Sequence, residues 1–557
     1  MTYVRARFQR AVEERRAAPL EAALADWALR HGGDAAVAVA LASCSRAVAE
    51  GHSCLALDRE LPAIPGEQPF CDAEGLAAAL RDSPLVGAPG ESRPLILEGD
   101  RLYLHRYWSY EVTLARRLRE LLREAPRDVD CSALGPRGGL FDHSWVAPGE
   151  THWQAVAAFV ALRHRLAVIS GGPGTGKTYT VLRLMRVLID SALAGGRRAP
   201  VIRMAASTGK AAARMVESTR AGLQQMDLPQ TVRERIPAEA QTLHRLLGLG
   251  SATTRPRHDP ENPLAADVVI VDEASMVDLP MMAKLLAALP THGRLVLLGD
   301  RYQLASVESG SVLAEMCDAA GINAFTQIQQ SAAGALLPAE MPQGTGPLAD
   351  HVVTLRTSHR FAAGSPIGRL AAAVNAGEAE TVLDIAGASA PTITLTDAID
   401  GDPLDALVEE SAQRYQALVE ATEPMAALEV LQRHCLLCAV RRGPAGSDTL
   451  NRRITERLAA GNGLDPSRAW YHGRPVIVTR NDYRAGLYNG DVGVCMEHDD
   501  RHYRVWFRTE GGLAAFLPSA LPEHETVFAM TVHKSQGSEF EHVTLVLPVE
   551  DSPVLSR

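Results

Sequence analysis

Lysine is nearly missing from this 557-residue chain, occurring only at Lys177, Lys210, Lys284 and Lys534. Arginine supplies almost every other positive charge. A lysine retained against that default points to a need for a compact ammonium rather than a planar fork. Cysteine is scarce too, and eight in a chain this long exclude a disulfide framework. The one close pair, Cys435 and Cys438 in HCLLCAV, has no second pair at metal-ligand spacing. Its strongly apolar surroundings predict two thiols in a buried strand. No run of about 18 charge-free apolar residues occurs, so no membrane span is expected. The N-terminal stretch MTYVRARFQRAVEERR has no hydrophobic signal region, which predicts a cytoplasmic protein. Positive charge is not in excess either. A net charge of −10 and a pI near 6.0 exclude a bulk nucleic-acid coat while leaving room for a locally basic channel.

What is present is organised along the chain. The length predicts about three or four domains. Residues 1–115 carry no catalytic signature. They read as helical at 20–29 and 35–49, with a short strand pair at 95–97 and 102–104 about a turn at Glu98-Gly99-Asp100. Residues 116–150 read as a linker. Residues 151–360 alternate strands and helices as a parallel α/β sheet does, with a polar interruption at 249–264 and an exposed, mobile loop at 321–350. A second α/β region spans 361–557. Short β-like runs at about 465–525 predict a small β-barrel insert within it. No fixed-period repeat occurs.

The densest chemical signal is LAVISGGPGTGKT, residues 166–178. An apolar strand runs straight into Gly171, Gly172, Pro173, Gly174, Thr175, Gly176, Lys177 and Thr178, and an apolar-periodic helix follows. In that context the glycines let backbone N–H groups curl round a phosphate, and the helix N-terminus adds its positive end. Lys177 is placed to reach the β- and γ-phosphates, and the Thr178 hydroxyl to hold Mg²⁺. VVIVDEASMVD, residues 268–278, is a second apolar strand, ending in Asp272 and Glu273. A strand-end Asp272 suits Mg²⁺, and Glu273 then orients or deprotonates the attacking water. LVLLGDRYQLASVESG, residues 295–310, ends a third strand at Gly299-Asp300. Gln303 follows on the loop, where a neutral amide senses the γ-phosphate.

This series of motifs resembles superfamily 1 helicases. The resemblance implies ATP and Mg²⁺ as cofactors and assigns further residues. Gln154 in THWQAVAAF would read adenine. Thr208 and Lys210 in MAASTGKAAARM, and Thr242 and His244 in AQTLHRLLG, would bind DNA. Arg360 in LRTSHRF would cross an interdomain cleft to the γ-phosphate. In FAMTVHKSQGSEFEHV, Gln536 and Gly537 would face the γ-phosphate, Glu539 the ribose, and Thr531 and His533 the DNA.

The wording of GGPGTGKT, STGKAAARM, TLHRLLG, VDEASMVD, GDRYQLASVESG, RRGPAGSDTLN and TVHKSQGSEF is narrower, and resembles the RecD family from about residue 150 onward. RecD is the alpha subunit of exodeoxyribonuclease V, the RecBCD enzyme. The implied architecture is α/β, with two RecA-like P-loop NTPase motor domains at 151–360 and 361–557. A mostly helical N-terminal domain would dock on a partner, residues 465–525 would form an SH3-like β-barrel insert, and 249–264 a short hairpin that parts the duplex. The implied activity is ATP-dependent 5′→3′ DNA helicase, a motor subunit without a nuclease site. Its partners would be RecB and RecC in a heterotrimer and the 5′-ended strand at a duplex end. The short N-terminus, with GHSCLALD and RLYLHRYWSYE, resembles the heterotrimer subunit more than the stand-alone RecD-like helicases, which remain the alternative. Two departures stand out. Ser207 replaces a usual proline, and no LYTAITRA-like motif with a second arginine follows VTLVLP. That implies a truncated chain, or a nucleotide-binding subunit with impaired hydrolysis.

Overall fold

The computed structural model describes residues 2–123, 134–135, 139–144, 146, 150–250, 255–304, 309–338, 340–357, 364–387, 392–396, 403–463, 465, 467–482, 484–498, 502–509 and 512–548. The chain divides into two compact units, Met1–Ser207 with Ala221–Arg360, and Thr208–Arg220 with Phe361–Arg557.

The first unit opens with helices α1 (Thr2–Glu13), α2 (Pro19–Arg30) and α3 (Ala35–Ala49). Pro19 starts α2 with its fixed φ, and the Asp34 carboxylate starts α3 by accepting the Val37 N–H at 2.9 Å. Strands β1 (Leu55–Ala56), β2 (Val86–Gly87), β3 (Leu95–Glu98) and β4 (Arg101–Leu104), with helix α4 (Ala73–Asp82) before β2, complete the domain. The expected strand pair β3–β4 is half of a sheet of order β1-β4-β3-β2, and Phe8, Leu29, Val37, Leu80 and Leu102 share its core.

Helix α5 (His105–Leu122) follows β4 and runs through residue 115 without a break, so the domain boundary expected there falls inside a helix. The reason is burial. Tyr107 and Leu121 belong to the core of the next sheet, and the Arg117 guanidinium donates to the carbonyls of Leu286 at 2.9 Å and Leu289 at 2.7 Å. The described parts of the expected linker are also packed. Leu134, Leu140 and Phe141 are buried, and the Asp142 N–H donates to the Tyr179 hydroxyl at 3.0 Å.

The parallel sheet is built from α6 (Trp153–Arg163), β5 (Leu166–Gly171), α7 (Lys177–Ala194), β6 (Ile202–Ala206), α8 (Gly209–Gln224), α9 (Gln230–Arg233), β7 (Ala240–Thr242), α10 (Leu243–Leu246), β8 (Val268–Asp272), α11 (Leu279–Ala288), β9 (Arg294–Gly299), α12 (Val312–Ala320), α13 (Gln327–Ala333) and β10 (Val352–Leu355). Most of α8 belongs to the second unit. The strand order is β10-β5-β9-β8-β6-β7, and every pair is parallel. Strands β5 and β9 are buried along their whole length, as near-continuous apolar runs require.

Two expectations need correction here. Residues 321–350 are not one exposed loop. They contain α13, bury Phe325 and Gln329, and pair Phe325 with Gln343 in a β-bridge. Asn323 is the pivot. It is 1% exposed at φ +51°, and its side-chain amide both donates to Thr354 O at 3.0 Å and accepts the Thr354 N–H at 2.7 Å. Composition suggested a loop, but the polar groups of this segment are satisfied internally. In 249–264, residues 251–254 lie outside the described residues. The rest forms no strand, only a tight turn in which Asp259 and Asn262 exchange backbone hydrogen bonds at 3.2 Å.

The second unit carries α14 (Pro366–Ala376), α15 (Ala379–Gly387), α16 (Pro403–Glu420), α17 (Pro424–Arg433), β11 (His434–Cys438), α18 (Ser447–Asn462), β12 (Pro475–Val478), β13 (Val492–His498), β14 (His502–Thr509), β15 (Gly512–Phe516), β16 (His524–Thr526), β17 (Ala529–Thr531), α19 (Val532–Ser535) and β18 (His542–Val546). Its parallel sheet has the order β17-β11-β18. Cys435 and Cys438 lie buried in β11 as free thiols, pushed up to about 12 by burial. The insert is an antiparallel sheet of order β15-β14-β13-β12-β16. Among the described residues, β15 and β16 stand at the two edges of this ladder.

Replacing Asn323 with Ala removes both bonds to β10 and leaves a left-handed residue without its stabilising amide. We expect a loss of about 3 kcal/mol in urea unfolding, and a loss below about 1 kcal/mol would contradict this role. Burial holds His434, ringed by Tyr415, down at about 4 from its ordinary 6.5. The unfolded chain therefore takes up that proton first, so the contribution is intact above pH 6.5 and is lost as pH falls towards 4. His434→Phe should flatten the acid side of the stability profile, and an unchanged slope would exclude His434 as a contributor.

Candidate nucleotide site

The site begins at the C-terminal end of β5, between β9 and β10. Gly171 must be glycine because of crowding. A Cβ there would lie 2.5 Å from Thr175 Oγ1 and 3.0 Å from Leu355 Cβ. Gly176 sits at φ +86° and serves as N-cap of α7, turning the chain so that the helix N-terminus faces the loop. Inside the loop the Thr175 hydroxyl donates to Gly172 O at 2.8 Å, and Lys177 Nζ donates to Gly171 O at 2.5 Å and Gly172 O at 3.3 Å. Gln154, 3% exposed on α6, donates its side-chain amide to Thr175 O at 2.9 Å. This residue, expected to read adenine, thus braces the loop from behind. Thr178 follows Lys177 in the first turn of α7.

Asp272 closes β8. Burial raises the affinity of its carboxyl for a proton, opposed by the Glu273 N–H, which donates to it at 2.9 Å, and by the nearby Lys177 charge. Glu273 adopts φ +50°, a left-handed turn that re-aims the chain immediately after the strand. A 3-10 turn, Ala274–Met276, comes next, and Ser275 Oγ donates to Gln303 Oε1 at 3.2 Å. The loop after β9 also touches the phosphate loop's strand, because the Arg301 N–H donates to Ser170 Oγ at 3.3 Å. Lys177, Asp272 and Gln303 are therefore brought into one region of the first unit. Thr178 and Asp272 offer oxygen donors only. Such a sparse set suits Mg²⁺ carried in by a nucleotide.

Ser275, Ser170 and Asn451 escaped the sequence reading. All three lie within quoted motifs, but nothing in the pattern distinguished a side chain that holds a neighbour. Asn451, in RRGPAGSDTLN, donates to Ala529 O at 2.8 Å and accepts the Ala529 N–H at 2.8 Å, fixing β17 just ahead of Thr531.

The residues expected at DNA have local duties in this structure. Thr208 accepts the Ala211 N–H at 3.1 Å and starts α8, and Thr242 accepts the Arg245 N–H at 3.3 Å and starts α10. Lys210, rather than projecting outward, is held within the second unit. It donates to Gly490 O at 3.2 Å and Ser538 Oγ at 2.7 Å, and burial, then Arg214, lowers its pKa. His244 is exposed. Thr531 and His533 are half-buried around the start of α19. Gly537 turns at φ +70° and Glu539 is exposed. Arg360 lies outside the described residues.

Two family models match this chain: the AAA domain at residues 154–309, and the RecBCD enzyme subunit RecD, N-terminal domain, at 13–103. The RecBCD enzyme subunit RecD of Mycolicibacterium smegmatis is 39% identical over 531 residues, spanning 94% of this chain and 86% of the relative. This chain belongs to the RecD family. The RecD of Haemophilus influenzae is 34% identical over 83% of this chain and 75% of its own length. The ATP-dependent RecD2 DNA helicase of Deinococcus radiodurans is 30% identical over 86% of this chain but 55% of its own length. Among solved structures, Pif1 helicase at forked dsDNA is 17% identical over 68% of this chain and 81% of its own, at a TM-score of 0.34, too loose a likeness to add to the assignment. On the RecD frame, the N-terminal match covers the region from α2 to β4, and the AAA match runs from Gln154 to Ser309.

The crowding at Gly171 is directly testable. Gly171→Ala should push Thr175 away from Gly172 and weaken binding of a fluorescent ADP analogue by about tenfold or more. An unchanged Kd would show that the loop has room this geometry denies.

Proposed function

We propose that this chain is an ATP-dependent 5′→3′ DNA helicase motor, working with RecB and RecC in a heterotrimer on the 5′-ended strand at a duplex end. One observation carries the reading. RecD subunits match nearly the whole chain, and the matched span includes the convergence of Lys177, Asp272 and Gln303. The stand-alone RecD2 helicase, by contrast, is matched over little more than half its length, which favours the subunit reading.

In this reading ATP binds at 171–178. The backbone N–H groups and Lys177 meet its phosphates, and Gln154, besides bracing the loop, is assigned to adenine. Thr178 and Asp272 would hold Mg²⁺, which supplies charge neutralisation at the transferring phosphoryl group. Glu273 orients the attacking water, and Gln303, steadied by Ser275, senses the γ-phosphate. Arg360, from the end of the first motor domain, and Gly537 and Glu539, from the second, are assigned to the nucleotide. Thr208, Lys210, Thr242, His244, Thr531 and His533 are assigned to DNA. That assignment requires Lys210 to exchange Ser538 and Gly490 for a phosphate. We read the insert as SH3-like on its strand order and on the 3-10 turn Pro518–Ala520 before its last strand. The segment 249–264, with its turn at 259–262, is assigned to parting the duplex. Among the described residues no helix is long and apolar enough to cross a membrane, and we assign the protein to the cytoplasm.

Co-expression with RecB and RecC should yield a stable heterotrimer, and the chain should unwind duplexes bearing a 5′ single-stranded tail in preference to a 3′ tail. Failure to co-purify would favour a stand-alone helicase. A preference for 3′ tails would overturn the polarity.

A further inference from the structure

Six residues after Gln303 in the sequence, Ser309 is fastened to the N-terminal domain. Ser309 is 1% exposed, and its hydroxyl donates to Val48 O at 2.9 Å. Val48 lies in the last turn of α3, and its carbonyl also accepts the Gly51 N–H at 3.1 Å. The adjacent Gly310, at φ +99°, donates its N–H to Gly51 O at 3.1 Å, just past the end of the same helix. Ser309 O in turn accepts the Leu279 N–H at 3.1 Å, at the start of α11, a few residues beyond Ser275. A Cβ on Gly310 would lie 2.8 Å from Leu279 Cβ, so the junction tolerates little displacement. One dipeptide thus joins the end of α3 to the start of α11, which follows closely on the turn that bears Ser275. All of these contacts lie within the first unit.

We propose that Ser309-Gly310 is a positioning element for Gln303, through which the N-terminal domain sets how well the nucleotide site hydrolyses ATP. Neither residue touches the nucleotide in this proposal. They hold the start of α11, and with it the turn that carries Ser275, against the end of α3, so a displacement of α3 moves Ser275 relative to Gln303. The proposal rests on the reading of 171–178 and Gln303 as an ATP site. It adds that the domain matched by the RecD N-terminal model is a control surface for catalysis as well as a docking surface.

The test uses the full chain and two variants on opposite sides of the junction. Ser309→Ala removes the hydroxyl. Gly51→Ala strains a left-handed position at φ +94° where a Cβ meets nothing within 4 Å, so it perturbs only the backbone of the N-terminal side. Both should lower kcat for single-strand-stimulated ATP hydrolysis by about fivefold, the value of one lost hydrogen bond, with KM for ATP within about twofold of wild type. Lowered thermal stability with unchanged kcat in the folded protein would assign the junction a purely structural role and overturn the proposal. If the wild-type chain shows no stimulated hydrolysis, the motor reading fails first, and hydrogen exchange decides the coupling. Slower exchange at 47–54 on adding Mg²⁺ and ATPγS, lost in Ser309→Ala, sustains the proposal; equal exchange in both proteins overturns it.

Discussion

The nucleotide site depends on how closely the 171–178 loop approaches its own strand and neighbours. Gly171 has no space for a side chain because Thr175 and Leu355 already occupy it. Thr175 can be there because its hydroxyl closes onto Gly172, and Gln154 holds its carbonyl from behind. That packing fixes the direction of α7, hence of its N-terminus and of Lys177. A phosphate site made from backbone N–H groups works only if the backbone is held in place before ligand arrives. The glycines remove the steric barrier, and the side chains of Gln154 and Thr175 remove the freedom.

The parallel sheet extends that constraint. Strand β9 lies between β5 and β8, so the loop after β9 emerges beside the phosphate loop on one side and the Asp272 turn on the other. Hydrogen bonds from Arg301 to Ser170 and from Ser275 to Gln303 tie the three strand ends together. Such links are individually small, about 1 kcal/mol each. Their effect is geometric, since each limits where a neighbouring side chain can point. Ser309 and Gly310 reach the end of α3, and Ser309 also accepts from the start of α11, so hydrogen bonds tie the N-terminal domain to the sheet domain at this point.

Much of this was legible in the residues. The apolar runs 166–169, 268–271 and 295–298 stand as buried parallel strands, and the acidic and Gly-rich ends fall at their C-terminal edges. The β3–β4 hairpin and the buried thiols of β11 were equally clear. What was hidden shares one physical cause. The local duty of a polar side chain leaves no mark in the sequence, whether or not it also meets a ligand. Thr208 and Thr242 are helix caps here, Lys210 is held by Ser538 and Gly490, and Asn323 completes a strand edge from within a stretch whose composition suggested only a loop. The boundary expected at 115 falls inside α5, whose apolar residues pack on the core of the following sheet, and a continuous amphipathic helix carries no punctuation.

The central claim is that Lys177 serves an ATP site whose turnover is driven by single-stranded DNA. The most direct measurement is steady-state ATP hydrolysis by the full chain with and without single-stranded DNA, beside Lys177→Gln at equal folded concentration. The account predicts strong stimulation of the wild-type chain and loss of turnover in the variant, with thermal unfolding unchanged. Equal turnover by the two proteins, or a wild-type rate indifferent to DNA, would contradict it.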